Sequence, residues 1–145
     1  MKRIVGLVLV ALVLCGVAAL AGGPLVNLGI EPASGGAAYL GIGWTFDSWS
    51  LIAEKVEFST WAGIWALGVL WTPDVGWASV RFGPKIALEW NNFGLFYEDL
   101  AIVLGVQRFW GIVGVFGQLE VNTSTGIVPR VGFELHFQLP SGTAT

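Results

Sequence analysis

From Ala78 to Trp90 the chain alternates without a break. Ala78, Val80, Phe82, Pro84, Ile86, Leu88 and Trp90 share one parity, and Ser79, Arg81, Gly83, Lys85, Ala87 and Glu89 the other. The pattern returns from Ile127 to Leu139. There Ile127, Pro129, Val131, Phe133, Leu135, Phe137 and Leu139 alternate with Val128, Arg130, Gly132, Glu134, His136 and Gln138. Successive side chains of a strand leave on opposite faces, whereas a helix of 3.6 residues per turn would scatter these charges around its axis. Both segments therefore predict strands with one bulky apolar face and one small or charged face.

The rest of the chain keeps the same period less sharply. Leu40, Ile42, Trp44 and Phe46 alternate with Tyr39, Gly41, Gly43 and Thr45, and Leu100, Ile102, Leu104 and Val106 with Asp99, Ala101, Val103, Gly105 and Gln107. Turn-forming clusters lie at 32–36, 47–48, 72–76, 91–92 and 122–126. Two more reversals are expected near Ser59-Thr60 and Gln107-Arg108. A single strand from Leu95 to Val121 would run about 90 Å, too long for so small a domain. The expectation is an all-β chain of about eight strands, at 25–31, 37–46, 49–58, 60–71, 77–90, 93–106, 109–121 and 127–139, in one antiparallel up-and-down barrel. Pro84 and Pro129 have no N–H to donate, so each is expected to mark a bulge or a strand end.

Composition decides which face looks outward. Of the 145 residues, 54% are apolar and only 12% are Asp, Glu, Lys or Arg. A soluble surface needs roughly 25–35% charged residues. The small and charged face is too poor to meet water, so the expected arrangement is that of a transmembrane barrel, with bulky apolar residues outward and small and polar ones in the lumen. Closure follows, because lipid cannot satisfy an open sheet edge. Trp61 and Trp71 are ten residues apart on one face, about 25 Å along the normal of a tilted strand, which matches the apolar band between aromatic girdles. With Trp44, Trp49, Trp77 and Trp90 they form the expected aromatic girdle.

Lys2 and Arg3 precede an apolar run and an Ala19-Leu20-Ala21 site, the layout of a cleaved secretory signal peptide over residues 1–21. The barrel then occupies 22–139, with a short tail at 140–145. Cys15 leaves with the signal, and the mature chain keeps five of the seven basic residues against all ten acidic ones.

The expected lumen network is Lys55, Glu57, Arg81, Lys85, Glu89, Asp99, Glu120, Arg130, Glu134 and His136, with Glu120 paired to Arg130. Charges in so narrow a barrel must be paired or hydrated. No basic face exists for nucleic acid, and one His with one Cys gives no metal or cofactor ligand set. His136 has no serine placed beside it by the pattern, so no enzyme is expected.

On the last strand, Arg130, Gly132, Leu135 and Phe137 carry the spacing of an assembly signal. Here the chain resembles the small, eight-stranded outer-membrane β-barrel proteins of double-membraned bacteria. The resemblance implies outer-membrane location, membrane lipid as the surroundings, the barrel-assembly machinery as partner during biogenesis, and a monomer. Eight strands predict a plugged or very narrow lumen, and the expected role is structural or adhesive or minor passive transport. A soluble periplasmic barrel holding an apolar ligand and a lipid-modifying enzyme using His136 are the alternatives.

Overall fold

A computed structural model describes residues 22–32, 35–55 and 63–137. The expected signal peptide with Cys15, the tail at 140–145, Glu57, Trp61 and the reversal near Ser59-Thr60 lie outside the described residues. Eight strands run in chain order: β1 (Gly23–Glu31), β2 (Ala37–Phe46), β3 (Trp49–Lys55), β4 (Gly63–Trp71), β5 (Ser79–Asn91), β6 (Gly94–Trp110), β7 (Val113–Asn122) and β8 (Gly126–His136). Each pairs antiparallel with the next, and β8 returns to β1, closing the barrel.

The register fixes the shape. Stepping across opposed residues from Leu25 leads through Gly43, Ile52, Gly68, Lys85, Ala101 and Asn122 to Gly126. Leu25 itself opposes His136, ten residues further along β8. Eight strands with that stagger tilt by roughly 40° from the barrel axis. Strands of nine to eleven residues then rise roughly 22–27 Å along it. One end carries both ends of the barrel strands, Gly23 and His136; the other, here the mouth, carries the turns at 92–93 and 123–125.

Three sequence expectations are corrected. The reversal expected at Gln107-Arg108 comes later, because β6 continues to Trp110 and turns at Gly111, whose φ of 64° suits a residue without Cβ. Trp77 lies in the loop before β5 and not in the strand. Pro84 marks neither a bulge nor a strand end. The ladder from β4 passes from Gly68↔Lys85 to Trp71↔Phe82, omitting Pro84, so the missing donor falls in a gap of the pairing. The register shift of β5 sits at Ala87/Leu88.

Closure at the β1–β8 seam depends on two opposed glycines, Gly29 and Gly132. The Tyr39 ring lies where a Gly29 side chain would be. A Cβ on Gly132 would strike the Leu28 carbonyl and come within 2.7 Å of Gly29 Cα and 2.9 Å of Phe116 Cζ. Rings from β2 and β7 thus cover the bare backbone of the seam.

Candidate functional site

The interior holds more polar than apolar side chains. Leu25, Ile52, Leu70 and Val103 make a small apolar cluster. Around it, Asn27, Ser50, Glu54, Arg81, Lys85, Gln107, Gln118, Glu120, Arg130 and Glu134 are buried. The outer wall is the reverse, with Leu28, Ile42, Leu67, Leu104, Leu119 and Val131 all exposed.

Period-two alternation brings these charges together from distant parts of the chain. Near the end holding His136, Arg81 of β5 reaches across to Glu134 of β8 at 2.7 Å. The same guanidinium donates to Gln118 Oε1 at 3.0 Å and Gln107 Oε1 at 2.6 Å, and lies 4.4 Å from the Phe116 ring centroid. Glu134 also faces His136, with Oε1 and Nε2 2.5 Å apart, and the imidazole packs 4.2 Å from the Phe109 ring.

Toward the mouth stands a second group. Lys85 Nζ pairs with Glu54 and lies 2.5 Å from Glu120. Arg130 lies 3.0 Å from both Glu54 and Glu120 and also pairs with Glu31. Its guanidinium sits 4.6 Å from the Tyr39 ring centroid. Asn27 donates to Glu54 at 2.9 Å, and Gln118 donates to Glu120 at 2.7 Å. Gln118 therefore joins the two groups into one network. Four carboxylates and three basic side chains come close to neutralising each other, which is what burial demands.

Above this floor a vestibule of about 80 Å³ opens at the mouth, lined by Ala66, Ala87, Ala101, Ile64 and Asn122. That is space for several waters. Asp99 closes one side. It accepts hydrogen bonds from Ser124 Oγ at 2.6 Å and from Thr123 Oγ1, and so fastens the β7–β8 turn. Those hydroxyls, Ser124 first, hold its carboxyl down at about 2, below the ordinary 3.8.

Most of the expected lumen residues meet here: Arg81, Lys85, Glu120, Arg130, Glu134 and His136 in the network and Asp99 at its mouth. Lys55 does not. It opposes Leu40 and Trp65 on the outward parity, with Nζ 5.5 Å from the Trp65 ring centroid, yet it is only 6% exposed, so it is buried outside the lumen network. Strand β3 is only seven residues long and carries bulky residues on both parities, so the period gave the wrong face and hid Glu54. Glu89 keeps the inward parity but lies near the mouth, opposite Ile64 and Phe96 and away from the network, where Asn91 donates to it at 3.2 Å. Glu31 and Asn27 were missed as well, although Val26, Leu28 and Ile30 alternate cleanly with them and would have revealed both.

The tryptophans gather toward the ends. Phe46 opposes Trp49, Trp49 opposes Trp71, and Trp71 opposes Phe82, a row of four outward aromatics along one line of rungs across β2–β5. Trp44 lies two residues from Phe46 on the same face, and Trp90 lies at the opposite, mouth end of β5. On β8, Arg130, Gly132 and Leu135 of the assembly-signal pattern keep their spacing within the strand, and Phe137 follows it. Arg130 and Gly132 point inward into the network and the seam. No protein-family model, no curated protein and no solved structure matches this chain.

Proposed function

We propose that this chain is an integral outer-membrane β-barrel protein with a plugged lumen, serving as a structural or adhesive element of the cell envelope. The observation that carries the reading is the inverted burial: an arginine 1% exposed in the interior, while tryptophans and leucines half-exposed cover the wall. In water that wall would be a continuous apolar patch far beyond what a soluble monomer exposes. In a bilayer it is the expected surface. The roughly 22–27 Å rise of the shorter strands is close to an apolar band about 25 Å tall, and outward aromatics near the strand ends, such as Trp49 and Trp71, support the reading. A soluble barrel for an apolar ligand would need an apolar interior, and here ion pairs occupy it. The paired floor below the vestibule leaves passive transport at most a minor role.

Migration on a gel tests the reading. Detergent-solubilised protein, left unheated, is expected to run ahead of the boiled sample, because a closed barrel resists detergent until heated. Equal mobility, or a folded monomer in detergent-free buffer, overturns it.

A further inference from the structure

The barrel wall is not level. Strands β5 and β6 have 13 and 17 residues, against seven to eleven for the others. The last rung from β6 to β7 is Ala101↔Asn122, so Gly94 to Leu100 stand beyond the β7 edge. The β5 arm stays paired with β4 as far as Gly63↔Trp90, so the β6 arm and the tip are what project, and the hairpin keeps the outward chemistry of the wall. Below it, Phe82 opposes Leu104, Pro84 opposes Ile102 and Ile86 opposes Leu100. Past the register shift at Ala87/Leu88, Leu88 opposes Tyr97 and Trp90 opposes Leu95 on the same side. At the tip Phe93 is 90% exposed. The other side of the hairpin carries Glu89 and Asn91 together with Phe96, which opposes Glu89, and the tip has no basic residue. The bulge gives the hairpin a local bend relative to the wall.

We infer that the projecting β5–β6 hairpin is an interfacial anchor, its outward face of Trp90, Leu95 and Tyr97 and its tip Phe93 seated in the headgroup–acyl boundary of the bilayer. The inference rests on the membrane reading proposed above and names what the mouth end grips. The occupant is lipid because the apolar stripe runs unbroken from the wall into the hairpin, so whatever covers Leu104 and Ile102 meets Tyr97 and Trp90 next. The residue types agree: Trp and Tyr pair an apolar ring with a polar edge and favour this boundary. With Glu89 on its opposite side and no Lys or Arg at the tip, the anchor needs apolar depth and not anionic headgroups. Phosphatidylcholine alone is therefore a sufficient partner.

The test uses two single-cysteine proteins in a Cys15→Ser background, Phe93→Cys and Leu104→Cys, each carrying an environment-sensitive fluorophore. Both are reconstituted in phosphatidylcholine vesicles with bromine on the acyl chains. Phe93 and Leu104 point away from the protein interior, so neither substitution removes core packing. The expected result is strong quenching at 104 and clear quenching with a blue-shifted emission at 93, the latter strongest when bromine lies near the headgroup. Quenching at 104 with a water-like, iodide-accessible label at 93 overturns the anchor and leaves the barrel reading standing. A label at 93 shielded from iodide but untouched by bromine, with shielding that grows with the protein-to-lipid ratio, overturns it in favour of a second copy. No quenching at either site removes the membrane reading and the anchor with it.

Discussion

The lumen and the outer wall come from the same eight strands, residue by residue in alternation, but different forces hold them. In the lumen several of the partners lie on strands that are not neighbours. Arg81 of β5 meets Glu134 of β8, and Glu54 of β3 meets Arg130 of β8 and Lys85 of β5. These pairs brace the barrel across its diameter. On the wall, Phe82 and Leu104 meet only their rung neighbours and otherwise whatever surrounds the protein. The lumen therefore specifies the closed shape in any medium, while the wall specifies the medium.

The sharpest break of this contrast is Glu54→Ala. It leaves Lys85, Arg130 and Asn27 each short of a partner in a buried site. Removing one member of a buried charge network costs about 3–5 kcal/mol. Leu104→Ala, on the wall, loses only apolar transfer, about 2 kcal/mol, and leaves no cavity in the protein. Reversible urea unfolding from vesicles measures both. If Glu54→Ala costs no more than Leu104→Ala, the cross-lumen bracing is not what holds the barrel.

The seam tests the same contrast from the side of shape. Gly132→Ala puts a methyl group against the backbone of β1 and the Phe116 ring, where neither can move far. Overpacking of this kind costs about 1–3 kcal/mol. The variant is expected to lose its folded gel mobility at a lower temperature than the parent. Gly117→Ala, whose Cβ would meet only Val131 Cγ1 at 4.0 Å, is the matched control and should keep it. Equal shifts for the two would mean that the seam is no tighter than the rest of the wall.

Legibility in the sequence follows the same division. Where one parity is all bulky and the other holds the charges, as in β5 and β8, the face of every side chain was readable, because a slip of one residue would turn each charge outward. Period alone puts Arg81, Lys85, Arg130 and Glu134 on one face of their strands, and all four are buried. In β3 the adjacent Glu54 and Lys55 force one charge outward in either register, and Ile52 and Leu51 do not arbitrate. What decides it is tertiary: Glu54 finds Lys85 and Arg130 in the lumen, while Lys55, on the other parity, is buried beside the Trp65 ring. Partner choice across the lumen was also beyond period counting. Glu120 with Arg130 followed from neighbouring strands, but Arg81 with Glu134 needed the stagger of the closed barrel, which no single strand encodes.

The smallest effect is expected at the mouth, between lumen and solvent. Asp99 lies beyond the last β6–β7 rung and ties the β7–β8 turn through Ser124 and Thr123. Its carboxyl titrates at about 2 in the folded protein against an ordinary 3.8. A carboxylate depressed by folding binds fewer protons than its unfolded counterpart, so it stabilises the fold above the ordinary value. That contribution fades as pH falls below 3.8 and is gone once pH passes below about 2. Solvent at the mouth screens the interaction, so the effect should rank below both lumen substitutions. Asp99→Asn isolates it from the other carboxylates: the difference in thermal stability between parent and variant should be constant from neutral pH to about 4, then shrink to nothing by about 2. A difference that persists through that window would show that Asp99 holds the turn by shape and not by charge, and would move it from the lumen's side of the comparison to the wall's.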